Sequence, residues 1–289
     1  MTDLSAYSLT ELRRDQQFVL YRGRREAAPS RILVVAPVSE RLEHETFRRV
    51  EHEYALRTEL DSAWAAVPVA LAQDKGCTVL VLQDPGGEPL DRILECQLEL
   101  PRFLQIAIGL AGALSRLHAQ GIVHKDIKPA NAIVDFASAK VWLTGFGIAS
   151  SLSRERQAPG PPDTIAGTLA YMAPEQTGRM NRSIDFRSDL YSVGVTLYQM
   201  LTGTLPFTAS EPLELVHCHL ARQPVPPEER RRGVAATLSA IIIRHHTEAS
   251  GQTRRGTVPD RSGIGVRSQA MPGRLAVQRT GRAVRHRCA

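Results

Sequence analysis

The chain has 289 residues, 43% hydrophobic and 23% charged, which is ordinary globular composition and enough length for one large domain or two modest lobes. That balance excludes a fibrous or wholly disordered chain, and no segment approaches the ~20 uninterrupted apolar residues of a membrane span. The net charge of +6 is local: from Arg244 onward ten arginines face only Glu248 and Asp260, a net of +8, so the preceding 243 residues carry −2, and no aromatics interleave with the basic run as a nucleic-acid surface would want.

Phe18-Val19-Leu20-Tyr21 and Ile32-Leu33-Val34-Val35 are short β-branched or aromatic runs between charged turns and predict strands. Leu42 to Leu60 carries Phe47, Val50, Tyr54, Ala55 and Leu60 near helical spacing. Strand character returns from Val67 to Leu82 around a Gln73-Asp74-Lys75-Gly76 turn, and Pro85-Gly86-Gly87 marks a hinge. Phe103 to Leu117 predicts a mostly buried helix ending at Gly121. Short strands follow at Ile122-Val123, Ile133-Val134 and Val141-Trp142-Leu143. Helices are then expected over Leu190–Leu201, ending at Gly203, and Leu213–Leu220. The outline is a strand-rich lobe over 1–84, a helical lobe over 85–243 and a basic tail over 244–289, expected to be disordered or out of frame. The N-terminus lacks a secretory signal, and Cys77, Cys96, Cys218 and Cys288 lack metal-type spacing, so a reduced cytoplasmic compartment is expected.

Three motifs then occur in order: H-K-D-I-K-P-A-N (His124 to Asn131), G-T-L-A-Y-M-A-P-E (Gly167 to Glu175) and S-D-L-Y-S-V-G (Ser188 to Gly194). With them the chain resembles the eukaryotic-type serine/threonine protein kinase family over roughly Tyr7 to Ile243. The resemblance implies a bilobal α+β fold and phosphoryl transfer from ATP, with Mg2+, to a protein hydroxyl. It implies Asp126 as the base, Lys128 as the neutraliser of the moving phosphoryl group, Thr168 as their orienter and Asn131 as a metal and nucleotide ligand. His124, Phe146, Gly147, Glu175 and Asp189 would serve structure, Glu175 anchoring the activation segment and Asp189 tying the catalytic loop to the next helix.

The nucleotide half departs from that pattern. Leu12 to Phe18 has no glycine where a phosphate-covering loop is expected. Ile32 to Ala36 offers no lysine, and Gly145 stands where an aspartate should bridge metal to phosphates. Glu53 occupies the position of the cofactor-site glutamate, but without a lysine partner it is expected to be a solvated helix residue. Arg13, Arg14, Arg22 and Arg24 are candidate phosphate contacts, and exposed strand-edge charge is the favoured reading. Ser150, Ser151, Ser153 and Thr164 are candidate phosphoacceptors in the loop from Ile148 to Ile165. Three readings follow: a weak protein kinase acting on a protein substrate, an inactive pseudokinase that docks a signalling partner, or a non-functional remnant of a broken gene, which the tail favours.

The run from Gly167 to Tyr198, with E-P-L-E-L-V-H-C-H-L, is similar to the N-terminal kinase-like domain of large bacterial hybrids that continue into an AAA-type ATPase, a GAF sensor and a histidine kinase. On that likeness the chain is expected to be a truncated relative. A frameshift near Arg244 would explain the Arg/Gly/Ser-rich tail and remove the arginine partner of Glu175.

Overall fold

The computed structural model describes residues 4–25, 28–38, 43–94, 98–151, 168–178 and 183–249, in two lobes. The upper lobe is a five-stranded antiparallel sheet in the order β1-β2-β3-β5-β4. Its strands are β1 (Ser8–Arg14), β2 (Phe18–Arg25), β3 (Ala28–Pro37), β4 (Pro68–Asp74) and β5 (Cys77–Gln83), with α1 (Glu43–Ala55) inserted after β3. The two-residue turn Lys75-Gly76 closes β4 onto β5 with both residues at positive φ, as the predicted turn requires.

Below the hinge come β6 (Glu88–Pro89), α2 (Leu90–Ile93), α3 (Leu100–Ala119), β7 (Ile122–Val123), β8 (Ala132–Asp135), β9 (Lys140–Leu143) and β10 (Ser150–Ser151). The chain then forms α4 (Phe186–Thr202), α5 (Pro212–Ala221), α6 (Pro227–Arg230) and α7 (Ala236–Ala249). The expected bilobal α+β architecture is the one observed. The last helix continues six residues beyond Ile243, through 249. Residues 250–289, the bulk of the basic tail, lie outside the described residues, as do Ser153 and Thr164.

The apolar stripe of α3 explains the lower core. Phe103, Ile106, Leu110, Leu114 and Leu117 recur at three- and four-residue steps and are buried against Tyr198 and Leu201 of α4. Each such side chain contributes roughly 1.5–3 kcal/mol of burial. The opposite edge of α3 approaches the β8–β9 turn so closely that a Cβ on Gly109 would lie 2.7 Å from the Ala139 carbonyl oxygen. Tyr198 donates its hydroxyl proton to the Val225 carbonyl at 2.8 Å. Tyr198→Phe is therefore expected to lower unfolding free energy by about 1 kcal/mol in a denaturant titration, with the helix content unchanged.

Two devices bind the lobes together. Ala66 N–H donates to the Leu143 carbonyl and Leu143 N–H to the Trp64 carbonyl, both at 2.9 Å, while Trp142 Nε1 donates to Ser62. At the hinge, Arg22 donates to Asp84 at 2.8 Å, to Glu88 at 2.7 Å and to the Gly87 carbonyl. Its side chain is 7% exposed and that of Asp84 0%. The expectation of exposed strand-edge charge thus fails for Arg22: β2 crosses the mouth of the cleft, and burial is tolerable there because two carboxylates and a carbonyl meet the guanidinium. Arg14 and Arg24 are exposed as expected, Arg14 pairing with Glu11.

Candidate functional site

The lower wall of the cleft is the loop between β7 and β8. Asp189, wholly buried on the first turn of α4, accepts from the backbone N–H groups of His124 and Lys125, each at 2.8 Å, and meets His118 Nε2 at 2.8 Å. Those contacts hold Lys125 at φ 68°, a left-handed conformation that turns the chain back so Asp126 faces the cleft. His124 is buried beneath it, its Nε2 3.1 Å from the Thr144 carbonyl oxygen and its ring 4.7 Å from that of Phe146. Burial holds its imidazole below the ordinary value despite the nearby Asp189 and Asp126 charges.

On this platform Asp126, Lys128, Asn131 and Thr168 converge. Lys128 Nζ lies 2.9 Å from Asp126 Oδ2 and donates to Thr168 Oγ1, while the Thr168 N–H donates to Asp126 Oδ1 at 3.1 Å. Asn131 donates its amide to the Asp126 carbonyl oxygen at 2.8 Å and to Asp126 Oδ2 at 2.9 Å. Gln176, which the sequence did not single out, donates to the Lys125 carbonyl at 2.8 Å and accepts from the Ala173 N–H, so it joins the loop to the segment after Thr168. Glu175 is buried and accepts from Ser188 Oγ at 2.6 Å; its Oε2 has no hydrogen-bond partner among the described residues.

The upper wall differs from expectation at Arg13 and Glu53. The register of β1 against β2 shifts between Glu11 and Arg13. That bulge breaks the alternation of faces, so Leu12 enters the core while Arg13 also turns into the cleft. Arg13 Nη2 donates to Asn131 Oδ1 at 3.1 Å and Nη1 to Asp15 Oδ2 at 3.0 Å, with the side chain 12% exposed. Asp15 replaces the missing glycines as the turn former, accepting from the N–H groups of Gln17 and Phe18. Burial works to raise its carboxyl, but the Phe18 and Gln17 N–H groups and the Arg13 charge leave it below its ordinary value.

Glu53 is 4% exposed, not solvated. Its Oε1 accepts from the Gly145 N–H at 3.1 Å, and the Phe146 N–H also bonds the carboxylate. The turn's free N–H groups explain the burial, since they supply the partners that a β3 lysine would have given. Burial still dominates and pushes the carboxyl up to about 7, against the pull of those N–H groups and of Arg13. His52 adds a 2.6 Å contact to the Ala149 carbonyl, so α1 is fastened to the G-F-G segment on two sides.

A divalent cation carrying a triphosphate needs several hard oxygens facing one point. Here Asn131 Oδ1 is committed to Arg13, its nitrogen to Asp126, and Gly145 brings no carboxylate. Among the described residues no group of three or more His, Cys, Asp or Glu side chains could hold a metal. Leu12, Leu20 and Leu33 from above and Ile133 and Trp142 from below belong to one buried apolar cluster. The cleft lined by Arg13, Asp126, Lys128 and Gly145 has about 60 Å³ open to water. Ligand pockets typically span roughly 300–1,000 Å³. The residues present do not fit Mg2+ and ATP.

Residues 31–236 match the protein kinase domain family. The chain is 35% identical over 143 residues to serine/threonine-protein kinase PknB of Mycobacterium tuberculosis, covering 50% of this chain and 22% of that protein. It is 36% identical over 162 residues to serine/threonine-protein kinase PksC of Streptomyces coelicolor, covering 55% and 29% respectively. Against a probable serine/threonine-protein kinase of Clostridium perfringens it is 32% identical over 167 residues, 57% of this chain and 24% of the relative. The chain thus spans under a third of the length of these relatives. Among the described residues no helix is long and apolar enough to cross a membrane.

Proposed function

Given that the chain belongs to the protein kinase domain family, we propose that it acts as a kinase-fold docking and signalling module whose magnesium–nucleotide site has been closed by its own side chains. The observation that supports this most is the Arg13–Asn131 bond, which engages the amide oxygen a metal would need. The buried cluster that Leu33 and Ile133 share and the clamped α1 point the same way, because both tie the upper wall of the cleft to the lower. The partner is a protein, in the cytoplasm.

A second reading, weak serine/threonine kinase activity, is favoured by the Asp126–Lys128–Thr168 network, which has the contacts that a base, a phosphoryl neutraliser and their orienter would use. ATP binding to the full chain, measured by calorimetry with and without Mg2+, separates the two. No saturable binding at millimolar ATP is expected. Magnesium-dependent binding, together with transfer to a protein serine or threonine that Asp126→Asn abolishes, would establish the kinase instead.

A further inference from the structure

Resting on that reading, we propose that Arg13 is the resident cation of the cleft, holding Asn131 across Gly145 so that divalent metal is excluded by the chain itself. Asn131 is fixed at both ends of its amide: Oδ1 accepts from Arg13, and Nδ2 donates twice to Asp126. In that orientation a Cβ on Gly145 would lie 2.8 Å from both Asn131 Cγ and Oδ1. Gly145 also has φ +81°, which costs any residue with a side chain. A side chain at position 145 would therefore require the Asn131 amide to leave its present rotamer, and with it the bond to Arg13.

Arg13 maintains the exclusion from above. Its guanidinium is anchored by Asp15, itself fixed in the β1–β2 turn, and it faces the Glu53 and Asp126 side of the cleft with a full positive charge. Asp15 and Asp126 line this small space, where Arg13 pairs with Asp15 and Lys128 with Asp126. The guanidinium supplies positive charge through directed N–H donors, and it coordinates no water or oxygen ligand as a metal ion would. Arg13 Nε stays buried with no acceptor among the described residues, so the bulge holds the group at a cost that solvent exposure would avoid. The absence of a carboxylate at 145 and the presence of Arg13 in the cleft are thus two halves of one arrangement, and altering either alone should not create a metal site.

Binding of Mn2+ alone to the full chain, followed by electron paramagnetic resonance without nucleotide, tests this. Wild type, Arg13→Ala and Gly145→Asp should each show no saturable binding below millimolar Mn2+. The double variant Arg13→Ala/Gly145→Asp should bind at least roughly tenfold more tightly than any of them. Arg13→Met/Gly145→Asp, which keeps the apolar stem in place, makes the same comparison if the alanine variants do not fold. In wild type, the Asn131 side-chain amide resonances should remain unbroadened at the highest Mn2+ used. Broadening there, Gly145→Asp binding as tightly as the double variant, or a folded double variant that binds no better than wild type would each overturn the proposal. Because nucleotide is absent, these results judge Arg13 separately from the docking reading, which wild-type ATP binding alone decides.

Discussion

Asp189→Ala is expected to lower the unfolding free energy by about 3–5 kcal/mol and to disorder the loop that carries Asp126. Asp189 is 0% exposed and serves three partners at 2.8 Å: His118 Nε2 and the N–H groups of His124 and Lys125. Alanine leaves two buried backbone donors without acceptors, at about 1–3 kcal/mol each, and opens a cavity beside His118. It also releases the left-handed Lys125, whose φ of 68° persists only while its N–H is held. Asp189→Asn should recover only part of the loss, because an amide nitrogen would then confront one of the donors it replaces an acceptor for. Urea unfolding of the three proteins gives the ordering. A loss below about 1 kcal/mol for alanine would mean that the loop is held by packing, and that the carboxylate is incidental.

Glu53 should make stability fall as pH rises. Its carboxyl, ordinarily at 4.5, is pushed up to about 7 by burial. Between those values the folded chain keeps a proton that the unfolded chain releases, so the stabilising contribution is complete below 4.5 and is lost as pH climbs through 7. The full shift corresponds to about 3 kcal/mol. Glutamine imitates the protonated form and can still accept from Gly145 and Phe146 N–H. The stability of Glu53→Gln relative to wild type should therefore grow by up to about 3 kcal/mol from pH 5 to pH 8. Subtracting the two pH profiles removes the contribution of other titrating groups. A flat difference would show that Glu53 is ionised throughout, with Arg13 rather than burial setting its state.

Much of the scaffold was legible because short-range physics writes it directly. The three- and four-residue recurrence from Phe103 to Leu117 demands one buried helical face, and α3 has it. Lys75-Gly76 demands a hairpin, and the Pro85-Gly86-Gly87 break demands an interlobe turn. The expectation of strands at Ile122-Val123, Ile133-Val134 and Val141–Leu143 places Asp126 and Asn131 on a loop between them, as found. The missing cleft chemistry was equally plain from residue identity: a glycine at 145 cannot bring a carboxylate, and β3 has no lysine to give.

Side-chain direction in the cleft was not legible, because it depends on groups far away in the chain. Arg13 and Asn131 are 118 positions apart, and a single bulge decides that Arg13 turns inward while Arg14 stays outside. Glu53 looked solvated because its anticipated partner was absent. The tertiary fold brings it the backbone N–H groups of a turn 92 positions away. Arg22 likewise gains Asp84 and Glu88 only when β2 crosses the hinge. The amino-acid sequence by itself determined the two-lobe outline, the loop that carries Asp126 and Asn131 and the absence of a carboxylate at 145, since these follow from periodicity and residue type. Only the tertiary structure decided what fills the space left behind, because burying a charge depends on which donors and acceptors the folded chain delivers to it.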